Sequence, residues 1–376
     1  MSRALRSRAC GFRHRRPVRS GRHHVVLATL WAHEGVAGVT LAALSGTRYG
    51  TGTVGGLVDV SVDRHGNRSD GTVENFPRGS GAARPRLRIG VISAGRVGSV
   101  LGAALRGVNH EVGAVSAVSD AALGRAAELL PSVPVRGPDE VAEQADLVLL
   151  AVPDDALAGL VRGLVGTGSL RSGQIVVHTS GAHGTEVLEP AAEVGALPIA
   201  LHPAMTFTGK PEDLERLGTA CMAVTARADD EAGSSVGTAL AVEMGAEPVR
   251  VPEDARKLYH AALTHGANHL VTLVNECAQL LRSSGIETPD RVLGPILSAA
   301  LDNALRYGDR GLTGPVSRGD AGTVRSHLEV LGSAEPDAVA GYVQLARRTA
   351  ERAVRSGILR SDDAVGVNEV LDGGWQ

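Results

Sequence analysis

A short strand, a glycine turn and a helix follow one another in this chain, and this succession constrains the fold most. Residues 87–93 read LRIGVIS, a β-branched and apolar run typical of a buried parallel strand. Apolar residues then recur with helical spacing over residues 97–108. The turn between them resembles a G-x-G-x-x-G dinucleotide-binding fingerprint with serine in place of the first glycine. Its residues are Ser93, Ala94, Gly95, Arg96, Val97 and Gly98.

The glycines of this turn suit a phosphate group. Gly95 would let the backbone approach a pyrophosphate, and Gly98 would let the helix pack closely on the strand. The free N–H groups at the helix N-terminus favour the same ligand. Ser93 fits if its φ is negative, so we expect a modified but functional cradle, with an ordinary structural turn as the alternative. The predicted cofactor-binding residues are Ser93, Ala94, Gly95, Arg96, Val97, Ser116, Ser119, Val152 and Pro153.

The end of the second predicted strand, over residues 111–119, indicates which dinucleotide binds. An acidic residue about 20 positions beyond the glycines would bind the ribose hydroxyls of NAD. Ser116 and Ser119 occupy that place, and no carboxylate follows until Asp120. Because serines can accommodate a 2′-phosphate, the pattern favours NADP over NAD.

Strand and helix patterns continue to alternate after the turn. Further strands are predicted at residues 145–153, 174–181, 197–203, 221–226 and 247–251. The alternation predicts an α/β fold with a Rossmann-like, doubly wound parallel sheet, in which the last two strands lie at the edge. Ligands of such sheets bind beyond the carboxyl ends of the strands, where Ser180 and His202 would lie.

From residue 253 the pattern is helical, with helices predicted at 254–283, at 289–308 and from residue 320 onward. On the first helix His260, Thr264 and Asn268 are spaced four apart and therefore share one face.

Three other polar features of this helical part can also be interpreted. His265 and His269 have the i, i+4 spacing of metal ligands, but no third ligand is evident, so we expect no metal. Asp320 is expected to cap the helix that follows it. Arg318, on the preceding loop, could pair with a substrate carboxylate.

The first residues of the chain differ from the rest. Eight arginines precede the first acidic residue, Glu34, and residues 46–85 are rich in Gly, Ser, Arg and Asp without any period. An apolar run at 25–44 is interrupted by His33 and Glu34, which argues against a membrane span. The predicted domain bounds are a disordered extension at 1–86, a dinucleotide-binding domain at 87–252, a helical substrate and dimerisation domain at 253–360, and a disordered tail at 361–376.

Composition excludes several classes of protein. The formal net charge of −3 gives no reason to expect nucleic-acid binding. Cys10, Cys221 and Cys277 lie too far apart in sequence to indicate a disulfide framework or a zinc site. A protein of the reducing cytoplasm, without nucleic-acid or membrane partners, is the expectation.

Several ordered motifs together resemble a known bacterial family. They read GVISAGRVG, ADLVLLAVPD, HTSGAHG, LHPAMTFTG, ALTHGANHL and LTGPVSRGD, and the resemblance extends from residue 87 to about residue 353. Members have a Rossmann-like domain followed by a helical domain of unknown function, and are described as NADP-linked oxidoreductases. The resemblance implies an all-helical second domain similar to the C-terminal domain of 6-phosphogluconate dehydrogenase, and a homodimer formed through it.

Two more distant families share this layout. The LHPAM run is similar to the His-Pro-Met/Ile loop of prephenate and arogenate dehydrogenases, which implies a catalytic role for His202, although Ala204 and Met205 stand where those enzymes lead to glycine. THGANH, from Thr264, resembles their Ser-His-x-x-His helix.

Alternatively, YHAALTHGANHLVTL resembles the Lys-x-x-x-Asn-x-x-x-Asn helix of ketopantoate reductases. It then places His260 at the lysine and Thr264 and Asn268 at the asparagines. The catalytic lysine of those reductases is absent.

The sequence thus predicts an NADP-dependent oxidoreductase that acts on a small keto, hydroxy or imino acid. Hydride transfer would be helped by a histidine, whose unperturbed pKa of about 6.5 suits acid–base work. The alternatives are a non-catalytic nucleotide-binding redox sensor or scaffold, and a deazaflavin-dependent NADP reductase. The predicted catalytic residues are His260, His202, Asn268, Thr264 and Ser180, and the predicted substrate-binding residues are Ser180, His202 and Arg318.

Overall fold

The computed structural model describes residues 25–33, 36–44 and 86–374, which fall into two units divided after Arg84. In the first unit, strands β1 (Val25–His33) and β2 (Val36–Leu44) pair antiparallel. This hairpin differs from the expected disordered extension. The two runs that form the strands contain several valines and threonines, and β-branched residues favour strands. For the other residues of 1–85, which lie outside the described ones, the expectation stays a prediction.

The second unit contains a seven-stranded sheet in the order β4-β3-β5-β6-β7-β8-β9. The first five of these strands are parallel, β8 is antiparallel to β7, and β9 is parallel to β8. The doubly wound sheet is therefore confirmed, with its last two strands reversed. The bounds are β3 (Arg88–Ile92), β4 (Glu111–Val115), β5 (Leu147–Leu150), β6 (Ile175–His178), β7 (Leu197–Pro203), β8 (Cys221–Thr225) and β9 (Glu247–Arg250).

Helices cover both faces of this sheet because its central strands are apolar on both sides. Leu147 and Leu149 of β5 belong to one buried cluster, whereas Val148 and Leu150 belong to the other. The first cluster includes residues of α1 (Arg96–Gly107), α2 (Asp120–Leu129), α6 (Glu212–Leu217) and α7 (Glu231–Glu243). The second includes residues of α3 (Pro138–Glu143), α4 (Asp154–Gly166) and α5 (Glu189–Glu193).

The remaining residues are helical. They form α8 (Arg256–Ser283), α9 (Pro289–Tyr307), α10 (Ala321–Ala334), α11 (Pro336–Arg355) and α12 (Ser361–Leu371). The predicted disordered tail at 361–376 is wrong over α12, because Val367, Val370 and Leu371 are buried in the same cluster as α10 and α11. Most apolar residues of α12 are three or four positions apart, so they form one apolar face. This face is long enough to pack on the neighbouring helices.

Helices α8 and α9 pack little against the other described elements. Only Arg256 in α8 and Pro289 in α9 are buried. Large apolar side chains are exposed on both helices, among them Leu258, Val271, Ile296, Leu301 and Leu305. None of the described helices combines the length and apolar character that crossing a membrane requires.

Candidate functional site

The turn after β3 is held by backbone and side-chain atoms at the end of β4. The Ser93 N–H donates to Ser116 Oγ at 2.9 Å, and the Ala94 N–H donates to the Ser116 carbonyl oxygen at 2.7 Å. Ser93 has a φ of +77°, which contradicts the expectation of a negative value. A left-handed serine costs about 1–2 kcal/mol. The two hydrogen bonds to Ser116 offset this cost.

The two glycines of the turn have different surroundings. A Cβ atom at Gly95 would meet only Ser93 Oγ, at 3.5 Å, so the space beside this residue is open. A Cβ atom at Gly98 would collide with the Ser93 carbonyl oxygen and lie 3.0 Å from Ala151 Cβ. Gly98 therefore permits the close packing of helix on strand, whereas Gly95 leaves room for a ligand at the N-terminus of α1. That N-terminus has no side-chain cap.

The other predicted cofactor residues surround this turn. Ser119 accepts a hydrogen bond from the Ala122 N–H at 3.2 Å and so caps α2, while Ser116 is occupied by the turn. Val152 is half-buried and Pro153 exposed, and both follow β5, the strand next to β3. The structure thus brings the predicted cofactor residues to one edge of the sheet. The side chains of Ser116 and Ser119, however, already form hydrogen bonds to the protein backbone.

A second group of side chains lies at the carboxyl end of β7. His202 Nδ1 is 2.9 Å from Tyr259 Oη, and the rings of His202 and His260 lie edge to face with centroids 6.1 Å apart. Gly181 makes this approach possible, since a Cβ atom there would lie 2.9 Å from His202 Nε2 and 2.6 Å from His260 Cδ2. The loop after β6, the end of β7 and the start of α8 therefore meet at one point, which we name the histidine cluster (Gly181, His202, Tyr259 and His260).

Burial sets the protonation of this cluster. Burial is the main cause that lowers the pKa of His202 to about 4, and the neighbouring Arg256 and His260 act in the same direction. Burial also raises the pKa of Tyr259, an effect that Arg256 opposes. Near pH 7 both His202 and Tyr259 are therefore neutral, and one hydrogen atom is shared between them.

Arg256 fixes the start of α8 to the loop after β6. Its side chain is fully buried, and it donates from Nε to the His183 carbonyl oxygen at 2.9 Å and from Nη2 to the Ser180 carbonyl oxygen at 2.5 Å. The guanidinium carbon lies 5.8 Å from the centre of the Tyr259 ring, within range of a cation–π interaction. Burial lowers the pKa of Arg256.

Glu253 ties the same loop to the protein a second time. Its carboxylate accepts hydrogen bonds from the Thr185 N–H at 2.7 Å, the Thr185 hydroxyl at 3.0 Å and the Glu186 N–H at 3.2 Å. Hydrogen bonds to a charged acceptor are among the stronger ones in proteins. Arg256 and Glu253 therefore both hold the loop that places Gly181 next to the two histidine rings.

His178 and Ser180 have structural contacts inside this loop. His178 is fully buried, and its Nδ1 accepts from the Ser180 N–H at 3.2 Å while its Nε2 lies 2.8 Å from the Gly184 carbonyl oxygen. Only the neutral tautomer with hydrogen on Nε2 satisfies both contacts, and burial is the main cause that lowers the pKa of His178 to about 4. Ser180 Oγ accepts from the N–H groups of Ala182 and His183, at 3.2 and 3.1 Å.

The remaining predicted residues lie apart from the cluster. Thr264 is half-buried one turn further along α8, and Asn268 is exposed two turns further along. Arg318 is exposed in a short 3₁₀ helix of the helical region. Within residues 86–374, no hydrogen bond or ring contact joins these three to His202.

His265 and His269 pair with each other at the surface of α8. Their Nδ1 atoms are 2.9 Å apart. The part of the chain that the structure describes has no group of three His, Cys, Asp or Glu side chains placed to hold a metal.

Sequence reasoning did not identify Tyr259, Arg256, Glu253 and His178. Tyr259 had a signal, because it directly precedes His260 in a chain with only four tyrosines. Arg256 and Glu253 resemble ordinary charged residues at the start of a helix, and their role depends on burial against a loop some 70 residues away in sequence, with a separation of 73 for the Arg256–His183 bond.

The loop that Arg256 fixes also borders a cavity of about 1010 Å³. Its walls include His183, Gly184, Arg250, Glu253 and Lys257, but none of the three aromatic rings of the histidine cluster. Charged side chains therefore line this cavity, and the histidine cluster lies outside its lining.

The fold and the site define a Rossmann-like α/β protein with a helical second domain. A family model described as a Rossmann-like domain matches residues 73–203, and one described as a domain of unknown function (DUF2520) matches residues 220–349. The chain belongs to the family that combines these two domains, as its motifs predicted.

Two crystal structures have the same fold. One is a Bacteroides fragilis protein named as a candidate NADP oxidoreductase, with 22% identity, a TM-score of 0.61, and coverage of 71% of this chain and 98% of that one. The other, from Thermotoga maritima, has 19% identity, a TM-score of 0.54, and coverage of 72% and 99%. No curated protein matches the sequence.

Proposed function

We propose that this protein is an NADP-dependent oxidoreductase acting on a small keto, hydroxy or imino acid. The observation that carries the proposal is that an open glycine turn and a cluster of titratable rings lie at the carboxyl edge of one parallel sheet. The bound nicotinamide would supply or accept the hydride. The protein would then need only to orient the substrate and move one proton.

The residues of the turn fit such a cofactor. The space at Gly95 is open, the first N–H groups of α1 have no side-chain cap, and a pyrophosphate there would meet a partial positive charge. NADP is proposed over NAD because the end of β4 carries Ser116 and Ser119 where a carboxylate would bind the ribose of NAD.

In the histidine cluster, His260 is the first candidate for acid–base catalysis and His202 the second. The low pKa of His202 leaves it without a proton to give as a cation near pH 7, and its Nδ1 is engaged by Tyr259. His260 is half-buried beside Gly181 and has no such hydrogen bond among the described residues. His202 and Tyr259 would hold the His260 ring and the substrate in place.

The helical domain is proposed to form a homodimer. The apolar side chains exposed along α8 and α9 are more than a monomer of this size needs to leave in water, and a second copy would cover them. We also propose a cytoplasmic location, since Cys221 and Cys277 form no disulfide within the part of the chain that the structure describes. Sedimentation velocity tests the dimer, and a monomer at micromolar concentration would contradict it.

The proposed function is tested with the purified full chain. Binding of NADPH is measured by calorimetry, and its oxidation is followed at 340 nm with a panel of keto acids and imines, and with a deazaflavin. We expect micromolar binding and turnover with an acid of this class. Binding without turnover of any substrate would favour a sensor or scaffold, turnover of the deazaflavin alone would favour the other reductase class, and absence of binding would contradict all three.

A further inference from the structure

Two arginine side chains from different helices meet beside the glycine turn. Arg96 is the first residue of α1, and Arg125 lies in α2. Both pack on Gly209, a buried residue with a φ of +79° in the loop after β7. A Cβ atom at Gly209 would lie 2.6 Å from Arg125 Cδ and 2.9 Å from Arg96 Cγ. Gly209 therefore leaves the space that the two arginine stems occupy.

No carboxylate of the described residues compensates the charges of these arginines. Within residues 86–374 neither side chain forms an ion pair, and the Arg125 Nε is buried without a hydrogen-bond partner. The carboxylate in this loop, Asp213, is already occupied by the N–H groups of Thr208 and Gly209, both at 2.8 Å, and by Arg216 at 3.2 Å. The buried Arg125 donor without a partner and the two arginine side chains packed on one glycine both favour an anion as ligand.

Arg96 and Arg125 belong to the two helices that follow the first two strands of the dinucleotide-binding fold, and the adenosine ribose of a dinucleotide would bind near the starts of these helices. Arg96 follows Gly95 directly, and α2 begins at the end of β4, the second strand of the fold. Helical side chains lean toward the N-terminus of their helix, and the side chain of Arg125 packs against Gly209 beside Arg96 at the start of α1. Val118 in the same connection is 98% exposed and offers an apolar surface for a purine ring. In this class of fold an arginine at the end of the second strand accommodates the 2′-phosphate of NADP.

We propose that Arg96 and Arg125 form the binding site for the ribose 2′-phosphate of NADP. This inference rests on the proposed function and adds the residues that select NADP over NAD. The phosphate monoester carries a charge of about −1.5 to −2 at neutral pH and three acceptor oxygens, which suit two guanidinium groups. The serines at the end of β4 then hold the turn and cap α2, and the arginines carry the selection.

The test compares affinities for NADP⁺ and NAD⁺ by calorimetry in the full chain. Arg125→Gln removes the charge, and we expect a loss of NADP⁺ affinity of about 10- to 100-fold with NAD⁺ affinity changed by less than about twofold. Arg96→Gln should have the same effect, and Arg125→Lys should retain part of the affinity. The matched control is Arg162→Ala, which removes an exposed arginine from α4 on the other face of the sheet.

The ratio of the two affinities separates selection from loss of structure. Equal weakening of NADP⁺ and NAD⁺ in both glutamine variants, or unchanged NADP⁺ affinity, would overturn the inference while leaving the dinucleotide function intact. Adenosine 2′,5′-bisphosphate and adenosine 5′-diphosphate give the same comparison without the nicotinamide. If the parent protein binds none of these nucleotides, the proposed function fails and the inference fails with it.

Discussion

The glycine turn and the histidine cluster lie at the same edge of the sheet but are built from the chain in different ways. The turn consists of consecutive residues, from Ser93 to Gly98, and needs one distant partner, Ser116. The histidine cluster joins three segments separated in sequence and depends on Arg256 and Glu253 to hold them together. The turn should therefore respond to changes of its own backbone, whereas the cluster should respond to changes of packing and protonation.

The largest effect is expected from Gly95→Val. A side chain here would occupy the open space beside the turn and block the pyrophosphate, so nucleotide binding should be lost. The protein should stay folded, because a Cβ atom at Gly95 meets no atom closer than Ser93 Oγ at 3.5 Å and its φ of −70° suits any residue. Calorimetry with NADPH and a melting curve measure both properties.

Gly107→Ala is the matched control, since a Cβ atom there meets nothing within 4 Å at the far end of the same helix. Unchanged NADPH affinity in the valine variant would contradict a dinucleotide at this turn. If the valine variant loses both NADPH binding and its fold, Gly95 is needed for the structure of the turn, and the alternative of an ordinary structural turn is favoured.

This difference in construction explains what the sequence could predict. The turn, the sheet and the positions of Ser180 and His202 follow from local patterns, because strand ends are readable from runs of apolar residues. His260 was predicted from a helical motif, and its role stays a prediction. The positive φ of Ser93 could not be predicted from the sequence, and neither could the hydrogen bonds that engage Ser116 and Ser119. Both depend on the neighbouring strands and helices that the fold brings together.

Two further differences have the same cause. Helix α12 was missed because its apolar face is short, and it became a helix by packing on α10 and α11. Asn268 shares a helix face with His260 by spacing, but Asn268 is exposed whereas His260 is half-buried. Periodicity thus identifies a face, and only the fold determines what covers it.

The next largest effect is expected from His260→Ala. Loss of the acid–base group should lower single-turnover NADPH oxidation by at least about 100-fold while cofactor affinity stays unchanged. His202→Ala should also lower the rate, through loss of the hydrogen bond to Tyr259. Asn268→Ala should weaken substrate binding by about 1–3 kcal/mol if a bound substrate or a second copy reaches it.

His265→Ala is the control, because it removes an exposed histidine from the same helix. Parental rates in the His260, His202 and Asn268 variants with the true substrate would place the reacting groups elsewhere. Such a result would leave the glycine turn intact and remove the histidine cluster from the mechanism.

A smaller effect on rate is expected from Gly181→Ala. The added methyl group would lie 2.6 Å from His260 Cδ2 and 2.9 Å from His202 Nε2, so the two rings must move apart by a few tenths of an ångström or more. Displacements of this size change proton-transfer geometry, and we expect a loss of turnover of roughly 10-fold with unchanged NADPH affinity. Gly159→Ala, at a helical position where a Cβ atom meets nothing within 4 Å, is the control. Full activity of the alanine variant would show that the close approach of the rings has no part in the reaction.

The smallest effect is on stability and concerns pH. Burial lowers the pKa of His178 and of His202 from 6.5 to about 4. Between these values the unfolded chain binds more protons than the folded one, so stability is complete above about pH 6.5 and falls as the pH falls toward 4. For the fully buried His178 the loss between pH 7.5 and 5.0 should be about 2 kcal/mol, measured as the free energy of unfolding in urea. His178→Gln should lose stability at pH 7.5 but show a shallower dependence on pH, whereas Gly95→Val should keep the parental dependence. An identical pH dependence in His178→Gln and the parent would mean that burial does not keep this histidine neutral. The glycine turn and the loop beside the histidine cluster would then not differ in their response to pH.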